Sequence, residues 1–170
     1  GLLLAAASAA LAFVAPLAAG APSLVARPGL WQTIVAAEIL LLAGAWLADA
    51  RAILPGLVAA AMAAIVSLLL LRDSGIAGTA GGCFWAIVIA VWLAAAMGVV
   101  AFAALRPIRK LQARAINLAV PLLFGATVFY LWEVAVRGFG VPPVLLPSPG
   151  AVAVRFFGAL PTLAADFNQT

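Results

Sequence analysis

The chain is 170 residues long, 68% hydrophobic and 8% charged, with a formal net charge of +4. Soluble domains average about half apolar and a quarter charged residues, so this composition excludes a water-soluble globular domain. With no histidine and a single cysteine, Cys83, the chain has no imidazole ligand or base and cannot close an internal disulfide.

Five apolar runs make up most of the sequence: Leu2 to Ala19, Trp31 to Leu47, Ile53 to Leu71, Cys83 to Leu105 and Ile116 to Val136. A helix of about 20 residues, rising about 1.5 Å per residue, matches the roughly 30 Å hydrocarbon core of a bilayer. Backbone polar groups in lipid can be satisfied only within a helix or a closed barrel, and strand-like alternation is absent. The expected fold is therefore all-α: a polytopic transmembrane helical bundle of about five spans plus a short extracytoplasmic amphipathic helix.

The first run ends in Ala19-Gly20-Ala21, which also fits a signal-peptidase site, and a cleaved leader would leave the same topology downstream. No methionine or basic segment precedes the run, so the chain reads as a fragment, and a retained span is the expectation. Glu38 lies mid-way in the second run, where a charge costs about 2.5–3.5 kcal/mol on insertion scales. It is a candidate intramembrane polar site. No second carboxylate, lysine or histidine stands at helical spacing, so a protonated or hydrogen-bonded carboxyl outweighs a proton relay. Trp31 and Trp46 mark the two ends of this run.

Small residues punctuate the third and fourth runs, with Ala59, Ala60, Ala63 and Ala64 in one and Ala94, Ala95 and Gly98 in the other, and allow close helix contact. Cys83 reads as an ordinary apolar position. The stretch Gly75 to Gly82 lacks a GKS or GKT ending and follows no strand, so it is a turn rather than a phosphate cradle.

Arg106, Arg109, Lys110 and Arg114 cluster between the fourth and fifth runs, and such a cluster marks the cytoplasmic side. Counting outward, the chain start and the Asp49 to Ala52 turn are cytoplasmic, and everything after Val136 lies on the far side. Arg27, Arg72, Arg137 and Arg155 vote the other way as scattered singles. Between two spans the cluster needs only to orient helices and touch anionic lipid, so no nucleic-acid partner is expected. Ile108, Leu111 and Ala115 fall between the charges at near-helical spacing, which predicts a short surface helix.

In the fifth run, Tyr130 and Trp132 fit an aromatic belt, and Glu133 can pair with Arg137 one turn on. Prolines and glycines then forbid a continuing helix until Ser148-Pro149, an N-cap followed by proline at the first helical position. Val152, Phe156 and Leu160 recur every four residues and predict a short amphipathic helix from Pro149 to Leu160, which Pro161 ends or kinks.

The basic segment Arg106 to Arg114, Trp132-Glu133, Val141-Pro142-Pro143 and Leu146-Pro147-Ser148-Pro149 follow one another at a particular spacing. That ordered set resembles the opening of the permease subunits of binding-protein-dependent ABC importers, in the nitrate, sulfonate, taurine and bicarbonate class. Gly150 departs from the usual serine or other small residue after Leu-Pro-Ser-Pro, and Gly138 from the usual larger residue. The resemblance covers residues 106–170, the start of a permease domain whose later ATPase-coupling Glu-Ala-Ala loop is absent from this chain. Residues 1–105 are then a four-span hydrophobic extension.

What the resemblance implies is a transport subunit of the bacterial cytoplasmic membrane, without cofactor or catalytic residues. Its implied partners are a cytoplasmic ABC ATPase, an extracytoplasmic solute-binding protein, a second permease copy and membrane lipid. The alternative is a non-transporting helical scaffold or assembly protein working through its small-residue faces. A membrane-embedded enzyme ranks last, because Glu38 and Glu133 have no clustered polar partners at one depth.

Overall fold

The structure is a computed structural model that describes residues 32, 34–37, 39, 53–72, 76–106 and 109–169. The first run, most of the second including Glu38, Trp31 and Trp46, and the Asp49 to Ala52 turn lie outside the described residues. Four helices follow in order: α1 (Ile53–Arg72), α2 (Gly82–Ala104), α3 (Lys110–Gly138) and α4 (Pro149–Gln169). Among the described residues the fold is all-helical, and α1, α2 and α3 are each long and apolar enough to cross a membrane.

The three long helices run up, down and up, with α1 packed chiefly on α2 and α2 on α3. Two clusters form the core. Towards the end of the bundle where α1 and α3 finish, Val66, Leu70, Ile76, Phe84, Ile87 and Val134 are fully buried, with Ile34 from the preceding helical residues 34–37. Towards the other end Ala37, Ala59, Ala60 and Ala94 pack together. In lipid no hydrophobic force drives helices together, so close backbone approach over small residues supplies dispersion contact instead. Gly98 shows how close: a Cβ there would lie 2.6 Å from Leu57 Cδ2 of α1 and 3.3 Å from Leu123 Cδ2 of α3.

One hydrogen bond ties α1 to α3 across the core. Ser67 Oγ lies 2.8 Å from the Tyr130 hydroxyl and 2.8 Å from the Ala64 carbonyl oxygen. A serine hydroxyl has one proton; given to Ala64, it leaves Tyr130 as donor to Ser67. Tyr130 therefore links helices in the interior, where the sequence alone places it in an aromatic belt.

Two helices differ from expectation. Among the described residues no separate surface helix carries the basic cluster: Lys110 and Arg114 belong to the first turns of α3 itself. At 29 residues α3 is about 44 Å long, more than the roughly 30 Å hydrocarbon core, so its charged first turns extend beyond the apolar part. Nor does Pro161 end α4, which continues through it to Gln169. A proline withholds one donor from a helix, here the one that Phe157 O would accept, and the apolar stripe carries on past it as Leu163 and Phe167.

Candidate functional site: the joint between α3 and α4

The end of α3 is a Schellman motif. Val141 N–H donates to Val136 O at 2.9 Å and Gly140 N–H to Arg137 O at 3.2 Å, with Gly140 in the left-handed region at φ +64°. The α1–α2 connection meets this turn: Gly78, also left-handed at φ +79°, donates its N–H to the same Arg137 carbonyl at 3.0 Å. The two glycines touch, and a Cβ on Gly140 would lie 2.8 Å from Gly78 Cα. The glycine-rich stretch is thus a turn shaped for backbone contact. Beside it Trp85 stacks on Phe139 at 4.5 Å, and a Cβ on Gly138 would meet the Trp85 ring at 3.0 Å. The missing side chain at Gly138 is filled by that indole.

Beyond the turn Pro142 and Pro143 are exposed, and Pro142 O accepts from Leu145 N–H at 2.9 Å and Leu146 N–H at 3.2 Å. These two bonds close a tight turn that follows the Schellman motif. Leu146 and Pro147 are exposed, and buried Ser148 caps α4, its Oγ accepting from Ala151 N–H at 3.3 Å. Pro149 occupies the first helical position, where it has no N–H to leave unsatisfied.

The decisive contact is made by Glu133. Its Oε2 accepts from Gly150 N–H at 2.7 Å while Oε1 pairs with Arg137 Nε, so one carboxylate serves both a neighbouring guanidinium and a free donor at the start of α4. An anion there is favoured both by the unpaired N–H groups of the first turn and by the helix dipole. Gly150 leaves the space: a Cβ would stand 3.1 Å from Glu133 Oε1 and 3.3 Å from an Arg137 terminal nitrogen. Trp132 is half-buried and stacked near Phe129 at 6.3 Å, and its indole nitrogen is enclosed without a hydrogen-bond partner.

Of the residues singled out from sequence, Glu133, Ser148 and Pro149 are brought to this joint, Pro142, Pro143, Leu146 and Pro147 belong to the turn that closes it, and Trp132 stacks on Phe129 of its own helix. The basic group lies at the opposite end of the bundle. Arg106 follows α2, Arg109 and Lys110 open α3, and Arg114 stands one turn on, all exposed. There Gln112 Oε1 accepts from Arg109 N–H at 3.2 Å, half of a capping box; a guanidinium, having no acceptor, cannot supply the other half. Gly78, Gly140, Ser67 and the acceptor role of Glu133 towards Gly150 escaped the sequence reading. Only the left-handed glycine after a helix end carries a local signal.

No family model, curated protein or solved structure matches the chain. At the joint Glu133 and Ser148 each accept from a backbone N–H of the first turn of α4, and so fix that helix against α3.

Proposed function

We propose that the chain is the opening part of the membrane-spanning subunit of an ATP-driven solute importer of the bacterial cytoplasmic membrane. The observation that carries this reading is the joint. The two separated halves of the motif set, Trp132-Glu133 and Leu146-Pro147-Ser148-Pro149, meet through Glu133 and Gly150, which gives a physical reason for their occurring together. In this reading residues 1–105 are the four-span extension, and the permease domain begins with the basic segment and α3. Its weak packing supports that boundary: 11% of the apolar window of α3 is buried, against 44% and 39% for α1 and α2. The open flank of α3 is where later permease helices and a second permease copy would pack.

Transport then proceeds by alternating access. An external solute-binding protein delivers the solute, and nucleotide binding to a cytoplasmic ATPase partner shifts which side of the path is open, by no more than its differential affinity for the two states. Less of the small-residue face is left for the scaffold alternative, because Ala59, Ala60, Ala63, Ala94, Ala95 and Gly98 are buried inside the bundle and Ala64 is half-buried. Coexpression of the full reading frame with a candidate ATPase tests the proposal. The two are expected to copurify in detergent, with hydrolysis changed by the membrane subunit. An ATPase that is not retained and is indifferent to the subunit sinks the importer reading.

A further inference from the structure

We propose that α4 is an in-plane membrane helix, docking its apolar face on the lipid interface. The proposal rests on the membrane reading of α1 to α3 and not on the importer reading. Val152, Phe156, Leu160, Leu163 and Phe167 follow one another at spacings of four, four, three and four residues and so form one stripe. All five are exposed, Phe156 at 55% and Phe167 at 84%. Arg155 and Thr162, seven residues apart, lie on another face. In water this stripe would be an unpaid hydrophobic cost; inside the bilayer Arg155 would be.

The joint decides at which depth α4 begins. Gly150 is held by Glu133, which lies five residues, or about 7 Å, before the end of α3. The apolar part of α3 starts at Ile116, and a hydrocarbon core of roughly 30 Å takes about 20 residues to cross, so Glu133 sits close to its boundary. The first turn of α4 is therefore pinned at the head-group level and not out in solvent. Contact with α3 ends there, since Val152 and the side chains beyond it that the structure describes are exposed. A helix starting at this level puts its stripe in lipid and Arg155 and Thr162 at the head groups by lying in the plane, with exposed Phe157 beside the stripe and Val154 alone on the far side. Arg155 also borders a groove walled by Pro143, Pro147, Val152 and Phe156, a setting that suits an acyl chain beneath an anionic head group.

Site-directed spin labelling tests this. Single cysteines are placed through residues 151–167 of the full chain in a Cys83→Ala background, reconstituted in phosphatidylethanolamine and phosphatidylglycerol vesicles. Collision with oxygen, which partitions into lipid, is compared with collision with a water-soluble nickel chelate. Oxygen access is expected to peak at Phe156, Leu160 and Leu163 and chelate access at Arg155 and Thr162, several-fold apart and in opposite phase. Labels at Ile65 of α1 and Leu122 of α3 report membrane insertion by their closure to the chelate. If they are closed but the α4 stripe is shut to both reagents, a protein surface covers it and the inference is wrong. A stripe open to the chelate, or oxygen access without periodicity, overturns it equally. Chelate access at Ile65 and Leu122 removes the membrane reading itself, and the inference with it.

Discussion

Gly140 has to be glycine for two separate reasons. Its φ of +64° costs any other L-residue about 1–2 kcal/mol, and a Cβ would meet the Gly78 backbone at 2.8 Å, a contact that no side-chain rotation can relieve. Gly125 makes the opposite case. It lies inside α3 with nothing within 4 Å of its Cβ position, and alanine is about 1 kcal/mol better than glycine in a helix interior. Gly140→Ala is accordingly expected to destabilise the detergent-solubilised protein by more than about 2 kcal/mol, the backbone clash adding to the left-handed cost. Gly125→Ala should leave it unchanged or slightly firmer. Thermal unfolding of the two variants side by side checks this, and equal effects would mean that the two turns do not touch as described.

At the scale of the helix pair, Ser67 and Tyr130 set the register of α1 against α3. Interhelical hydrogen bonds in membranes average about 0.6 kcal/mol and reach about 1.7 kcal/mol, because the separated helices find other partners. A double-mutant cycle on Ser67→Ala and Tyr130→Phe is expected to return a coupling energy in that range, read from unfolding in mixed micelles. A coupling of zero would remove the bond from the account. The existence of α1, α2 and α3 was legible because a bilayer demands length and apolarity, and both are visible in a linear sequence. The Ser67–Tyr130 pair was not, since 63 residues separate the partners and no local pattern links them. Likewise the N-cap at Ser148-Pro149 could be read from local chemistry, whereas the carboxylate from Glu133 arrives from another helix, 17 residues away. The reach of α4 past Pro161 has a different cause: the one donor that proline withholds is outweighed by the apolar stripe continuing through Leu163 and Phe167.

For the molecule as a whole, antiparallel packing puts the α2–α3 connection at one end and the Gly78–Gly140 contact with the α3–α4 turn at the other. The first end carries Arg106, Arg109, Lys110 and Arg114; at the second, Arg137 is paired with Glu133. Lys110 opens α3, where the helix dipole disfavours a cation by about 0.3–1 kcal/mol, and Arg114 follows one turn on, where that effect has faded. Helix stability does not explain their placement; retention of positive charge on the cytoplasmic side, the orientation expected from the sequence, would. The two ends should therefore differ in access to a membrane-impermeant maleimide applied to intact cells. Val144, 95% exposed in the turn, is the probe for the outer end; Ser148, though close by, is buried and occupied in capping α4. In a Cys83→Ala background, Val144→Cys is expected to label from outside and Lys110→Cys only after the cells are permeabilised. The reverse pattern would invert the whole bundle, placing α4 and its lipid-facing stripe on the cytoplasmic leaflet and taking away the external docking side that an importer requires.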